Sequence, residues 1–174
     1  MMKITYLEMF LFITLIWVLI RGICYIKTKK FIPLRELQLL LVYGCIIIVS
    51  RFVYFPLSGG TLNYDPDLIF PLQVNLRPFE FLLERYDGWQ INIIGNILMF
   101  VPVGIVWPCC YKKLNTVLKA FAACVGYTLF IEVTQLFLYE RHSDVDDIIL
   151  NSIGGLLGAL IYFFVKRIKR KSAK

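Results

Sequence analysis

The sequence lacks the residue patterns that mark most metal sites and hydrolytic enzymes. It has one histidine, and its five cysteines do not follow the spacing of a zinc site. All five lie within apolar segments or at their predicted cytoplasmic ends, which argues against a disulfide framework. There is no glycine-rich phosphate loop, and no serine has an adjacent base that would mark it as a nucleophile. We therefore predict no cofactor and no metal, with an oxygen-rich calcium or magnesium site at Glu132, His142, Asp144 and Asp146 as the weaker alternative.

What the sequence does contain is long hydrophobic runs. Hydrophobic residues make up 59% of the 174 residues, whereas a soluble domain has roughly 45–50%. A membrane-spanning helix needs roughly 20 mainly apolar residues. Five runs qualify, at about 4–24, 36–56, 91–110, 115–138 and 147–165. We predict an all-α fold, a polytopic transmembrane helix bundle that forms a single integral membrane domain over residues 1–174.

The distribution of charge predicts the orientation of this bundle. Most of the 19 Lys and Arg residues lie in three regions: the first connection, the third connection and the C-terminal tail. With five spans these regions share one side, and basic loops mark the cytoplasm, so we predict the N-terminus outside and the C-terminus inside. The net charge of +7 is then a topology signal, and nucleic acid is not a predicted partner. The first run lacks a small-residue cleavage site after it, so we expect it to remain as a helix.

The outer connection, roughly 57–90, contains a predicted interfacial helix that begins near Pro78. Its apolar residues follow the i, i+3, i+4, i+7 spacing of one helical face: Phe79, Leu82, Leu83 and Tyr86. Glu80 and Glu84 lie on another face. This pattern is typical of a short helix that lies in the membrane interface, and it could cover the ends of the spans.

Polar residues form one stripe on each of the last three spans. Asn92 and Asn96 are one turn apart on the third span. The stripe of the fourth span consists of Thr128, Glu132 and Gln135, and that of the fifth consists of Asp144, Asp147, Asn151, Gly154 and Gly158. At a rise of 1.5 Å per residue, Asn96, Glu132 and Asn151 lie about 6–9 Å from the outer ends of their helices. We therefore expect the three stripes to meet at one depth.

Several of these residues have a structural as well as a functional interpretation. An ionisable residue within a span normally faces a partner or a wet cavity, so Glu132 is either a functional carboxylate or a buried ion pair with Arg51, Arg77 or Arg141. Ser143 or Asp144 could cap the fifth helix, and the neighbouring acids favour the positive end of its dipole. Gly154 and Gly158 are four residues apart, which favours close helix packing.

The combined motifs resemble the VanZ-like family. The chain contains N-I-L-M-F-V-P-V-G from Asn96, Glu132-x-x-Gln135, and Arg141-x-x-Asp144-x-x-Asp147-x-x-x-Asn151-x-x-Gly154-Gly155-x-x-Gly158. Asn75-Leu76-Arg77-Pro78-Phe79 also resembles the family's extracellular N-L-x-P-F element, so the resemblance covers about residues 75–165. The founding member is implicated in resistance to the glycopeptide teicoplanin. The resemblance implies a multi-pass protein of the cytoplasmic membrane of Gram-positive-type bacteria, without a defined mechanism.

Three functions remain open at this point. The favoured one is a binding or shielding protein for a lipid headgroup, a lipid-linked wall precursor or a lipoglycopeptide. Its predicted ligand-binding residues are Asn75, Arg77, Asn92, Asn96, Glu132, Gln135, Arg141, Asp144, Asp147 and Asn151. The second is an intramembrane enzyme that acts on a lipid-linked envelope substrate, with Glu132 and Asp147 as an acid/base pair. The third is a flippase component, which the apolar cytoplasmic halves of the helices disfavour unless a homo-oligomer completes the path.

Overall fold

The computed structural model describes residues 2–55, 60–64, 74–79, 88–139 and 143–172. Within these residues lie five helices, α1 (Tyr6–Thr28), α2 (Pro33–Tyr54), α3 (Trp89–Cys110), α4 (Val117–Gln135) and α5 (Val145–Ser172). Five short strands accompany them: β1 (Met2–Thr5), β2 (Thr61–Tyr64), β3 (Val74–Asn75), β4 (Leu138–Tyr139) and β5 (Ser143–Asp144). All five helices are long and apolar enough to cross a membrane, which confirms the predicted fold class.

Local sequence explains where several of these helices begin. The Thr5 hydroxyl accepts the backbone N–H of Glu8 at 3.3 Å, and the Glu8 carboxylate accepts the backbone N–H of Thr5 at 2.7 Å, so the two form a capping box. Pro33 occupies the first turn of α2, where its missing N–H removes no helical bond. In α4 the Thr116 hydroxyl accepts the N–H of Lys119 at 3.2 Å.

Two helices extend beyond the ends of the predicted spans, at places where charged residues follow the apolar run. α5 extends to Ser172, beyond the predicted end at 165, through a run of Lys and Arg. These residues favour helix and interact well with the negative end of the helix dipole, so the helix outlasts its hydrophobic segment. Similarly, α1 continues to Thr28 instead of ending near 24.

The chain divides into two compact units. In the first unit, the described residues form α1, α2 and a three-stranded antiparallel sheet in the order β1-β2-β4. Ile4 pairs with Leu62, and Asn63 pairs with Tyr139. α1 has no buried residue, whereas α2 buries one face that includes Leu39, Val42 and Val49.

The second unit contains α3, α4, α5 and a parallel pair formed by β3 and β5. Glycines allow α3 and α5 to approach closely. A Cβ at Gly154 would collide with the backbone carbonyl of Ile97, and one at Gly158 would collide with that of Val101. Gly104 faces the carbonyl of Gly155 in the same way. The predicted close packing at Gly154 and Gly158 is therefore confirmed.

One prediction about the outer connection is wrong, and the rest of that prediction lies on residues outside the described part of the chain. Phe79 has a left-handed backbone with φ of 65° and forms a turn with Pro78, so a helix does not begin at Pro78. Residues 80–87, which carry the rest of the predicted interfacial helix, lie outside the described part of the chain. α5 begins at Val145, slightly before the predicted start of the span near 147, and Asp144 directly precedes it, as expected of a cap.

Candidate functional site

Polar side chains cluster where the N-termini of α3 and α5 lie beside the C-terminus of α4. Glu132, in the last turn of α4, is 3% exposed. Its Oε2 accepts the backbone N–H of Asp144 at 2.9 Å, and it also bonds to the Ser143 side chain. The carboxylate therefore joins α4 to β5, a role that neither interpretation of Glu132 from the sequence had included.

Asp144 and Asp146 connect the start of α5 to β3 and the turn that follows it. Asp144 Oδ1 accepts the N–H of Asp146 at 2.8 Å, which confirms the predicted cap, and Asn75 Nδ2 donates to Asp144 Oδ2 at 3.4 Å. Asp146 is 4% exposed, and its Oδ1 accepts the backbone N–H of Phe79 at 2.6 Å. The parallel pairing of Val74 with Ser143 and of Asn75 with Asp144 aligns these groups.

The half-buried part of the cluster is centred on Asn96 and Asp147. Asn96 Nδ2 donates to Asp147 Oδ1 at 2.5 Å and to Asn92 Oδ1 at 3.3 Å. Asn92 is exposed, while Asn96 and Asp147 are both half-buried. The hydrogen-bonded series Asn92–Asn96–Asp147 therefore extends from the protein surface toward the buried polar groups.

Asn151 forms the buried end of the cluster together with Thr128. Asn151 is 1% exposed and Thr128 is fully buried, and Asn151 Nδ2 donates to Thr128 Oγ1 at 3.0 Å. Among the described residues, no donor reaches Asn151 Oδ1. Buried acceptors are normally satisfied, so this oxygen is a suitable partner for a hydroxyl or a water molecule.

The remaining predicted residues occupy different positions. Gln135 is 4% exposed, in the last turn of α4. Arg77 is exposed, and its backbone N–H donates to Asn75 Oδ1 at 3.0 Å. Arg141 lies outside the described residues.

Arg51, one of the suggested partners of Glu132, donates to the Phe55 carbonyl at 3.2 Å and lies over the Tyr6 ring.

The cluster is rich in carboxylates, and backbone or amide N–H groups bond to each of them. The charges of Asp144 and Asp147 are close enough to interact with Glu132. Within the described residues, no group of three or more His, Cys, Asp and Glu side chains is arranged to hold a metal ion. Carboxylate and amide groups together are suited to hydrogen bonds with hydroxyl, amide and amine groups.

Sequence spacing located most of the cluster, but it gave Asp146 only as part of the alternative metal site and not among the binding residues. Its position in the acidic run was visible, but its partner is a backbone N–H that lies 67 residues away, and no periodicity predicts such a contact. Thr128 was placed on the correct stripe but was left out of the proposed binding residues. The pairing of Asn151 with Thr128, instead of with Asn96 or Glu132, also needed the structure.

Fold and site together define a multi-pass membrane protein with a polar cluster at one end of its last three helices. A family model described as VanZ/LLP1 matches residues 37–166. The chain belongs to this family, as its motifs predicted. It is similar to Protein VanZ of Enterococcus faecium, with 30% identity over 89 residues.

The match covers 51% of this chain and 52% of that relative, so the chain spans about half the length of the protein it resembles. No solved structure gives a significant match. The family assignment therefore rests on the sequence comparison.

Proposed function

We propose that the protein binds a polar ligand of the bacterial cell envelope at the hydrogen-bonded series Asn92–Asn96–Asp147, and that the ligand is not changed covalently. The observation that supports this most directly is the continuous path of polar groups from exposed Asn92 to half-buried Asp147. Polar groups within a membrane protein are costly unless they face partners or a functional cavity. A path that reaches the surface is consistent with a ligand that approaches from outside.

The chemistry of the cluster suggests the class of ligand. Carboxylate oxygens at Asp144 and Asp147 accept hydrogen bonds, and the exposed Asn92 amide and Arg77 guanidinium can donate them. Arg141 is proposed as a second cation. A lipid headgroup, a lipid-linked wall precursor and a lipoglycopeptide all combine hydroxyl, amide or charged groups with an apolar tail that the membrane can hold.

The family relationship supports a role in the envelope. The founding member's link to teicoplanin resistance suggests that this chain binds or shields a target of glycopeptides, in the cytoplasmic membrane of a Gram-positive-type bacterium. Because the matched region covers about half of the relative, this transfer of function is part of the proposal.

A binding experiment tests the proposal directly. The protein, with Trp17 and Trp107 replaced by Phe, is placed in nanodiscs. The fluorescence of Trp89, in the first turn of α3, is then followed during titration with a lipid-linked precursor, teicoplanin or an anionic phospholipid. Asp147→Asn and Asn92→Leu are expected to weaken binding by about 10- to 150-fold, since a hydrogen bond to a charged group contributes about 1.5–3 kcal/mol. The exposed neighbour Gln90→Leu is the control and is expected to bind as the wild type does.

Mass spectrometry of the recovered ligand completes the test. An unchanged ligand is expected from the wild type. A covalent product that disappears in Asp147→Asn would overturn the binding proposal, and so would the absence of binding to all three ligands.

A second candidate is an intramembrane enzyme in which Glu132 and Asp147 act as acid and base. The observation that favours it is the proximity of these two carboxylates, whose charges interact. The enzyme requires turnover, so lipid and wall-precursor profiles of cells that express the wild type or Glu132→Gln would differ by a product. Identical profiles would contradict it.

A further inference from the structure

A groove separates the C-terminal half of α1 from the start of α2, within the first unit. Its volume is about 510 Å³, in the range of about 300–1,000 Å³ that small-molecule sites occupy. The aromatic rings of Trp17, Tyr25 and Phe31 line it, and so does the side chain of Leu40. Gly22 also lines the groove, and nothing lies within 4 Å of the position of a Cβ there.

Charged groups line the same groove. The Arg21 guanidinium pairs with the Glu36 carboxylate through both Nε and Nη2, which fixes its position between the two helices. The exposed Lys30 also lines the groove. Three further basic residues are close in sequence: Lys27 in the last turn of α1, Lys29 in the connection and Arg35 in the first turn of α2. The charge of this part of the chain is therefore positive.

We propose that this groove binds an anionic phospholipid, with one acyl chain between α1 and α2 and the phosphate beside Lys30. The apolar wall formed by Trp17 and Leu40 matches a hydrocarbon chain, and Lys30 matches a phosphate. A basic residue near the membrane surface contributes about 1 kcal/mol to the attraction of anionic lipid. Tyr25, in the last turn of α1, is of the aromatic type that concentrates at the level of lipid headgroups.

Charge complementarity favours a lipid over a second copy of this chain. Another copy would bring its own basic connection or tail to the groove, and the like charges would repel one another. The proposal is independent of the polar cluster, because every residue that lines the groove belongs to α1, α2 or their connection.

Native mass spectrometry of the full-length protein in detergent tests the proposal. The protein is offered phosphatidylglycerol and phosphatidylcholine in equal amounts, and the wild type is expected to retain mainly phosphatidylglycerol. Lys30→Gln should weaken phosphatidylglycerol binding by about fivefold, which corresponds to the loss of one basic contact. Gly22→Leu should reduce the binding of phosphatidylglycerol to background, because the new side chain occupies the space of the acyl chain.

Two matched variants serve as controls. Gly126→Leu introduces the same side chain at an exposed position of α4 with equally open space, and Lys171→Gln removes a charge from the end of α5. Both are expected to retain the lipid as the wild type does.

Four outcomes would overturn the proposal. One is equal retention of the two lipids by the wild type, and another is equal loss of phosphatidylglycerol in Gly22→Leu and Gly126→Leu. The third is displacement of the lipid by its deacylated headgroup at the same concentration, which would show that the groove holds no acyl chain. A dimer that carries no lipid and dissociates in Gly22→Leu would assign the groove to a second copy.

Discussion

At the scale of single residues, the buried polar side chains of the cluster take partners from other segments of the chain. Asn151 of α5 donates to Thr128 of α4, and Glu132 of α4 accepts from the backbone of Asp144. Asp146 accepts from the backbone of Phe79. Each bond therefore fixes the position of one segment relative to another.

Replacement of Thr128 by Val tests the most deeply buried of these bonds. Valine has nearly the same shape but cannot accept from Asn151 Nδ2, and an unsatisfied buried donor costs about 1–3 kcal/mol. We expect a lower unfolding temperature in detergent, measured by circular dichroism. Thr28→Val is the control, since this exposed hydroxyl bonds only to nearby backbone groups, those of Cys24 and Lys30. An equal effect of both variants would argue against the bond.

Glu132 permits a sharper comparison, because two substitutions separate its charge from its role as an acceptor. Gln retains an oxygen for the Asp144 N–H, whereas Leu leaves that N–H without this partner. We expect Glu132→Leu to lower the free energy of unfolding by about 1–3 kcal/mol more than Glu132→Gln does. Equal losses, measured by chemical unfolding in mixed micelles, would assign the stabilisation to the charge itself.

At the scale of secondary-structure elements, the contact between α3 and α5 is the most extensive one between helices of the second unit. Gly154 and Gly158 face backbone carbonyls of α3, and Gly104 faces one of α5. Small residues permit such approach, and van der Waals packing then replaces the hydrophobic effect that is absent between helices in lipid. The contact also brings Asn96 to Asp147.

Gly154→Ala should therefore destabilise the protein, by about 1–3 kcal/mol for overpacking. The added methyl group meets a backbone carbonyl that cannot move aside as a flexible side chain would. Gly126→Ala introduces the same group where nothing lies within 4 Å and is expected to be neutral or stabilising. Thermal unfolding of the two variants in the same detergent compares them; a loss of stability in Gly126→Ala alone would contradict the packing argument.

How much of the fold and the site could be predicted from the sequence depends on whether each feature is local along the chain. Hydropathy located all five spans, and helical spacing placed Thr128, Glu132 and Asn151 on the correct faces, because both signals are local. The pairing of β3 with β5 was missed, since it involves two residues on each strand and joins distant segments. The sequence predicts Ser143 or Asp144 as the cap of α5, and the bond from the Asp146 N–H to Asp144 Oδ1 identifies Asp144 as that residue.

At the scale of the whole molecule, the orientation in the membrane remains a prediction from charge. With five spans, the N-terminus outside places the basic tail of α5 in the cytoplasm. Alkaline phosphatase fused to the C-terminus should be inactive in bacteria, and green fluorescent protein fused there should fluoresce. The matched fusions made after α4 should show the opposite pattern. Active phosphatase at the C-terminus would show that the predicted orientation is wrong.

The contact between α3 and α5 has a consequence for how the protein is made. Helices leave the ribosome in chain order, so α3 and α4 enter the membrane before the segment that supplies Asp144 and Asp147. Until that segment arrives, Asn96 lacks the Asp147 carboxylate and Glu132 lacks the Asp144 N–H, and polar groups without their partners are costly in lipid. A chain that stops after α4 is therefore a natural substrate for the proteases that clear incomplete membrane proteins.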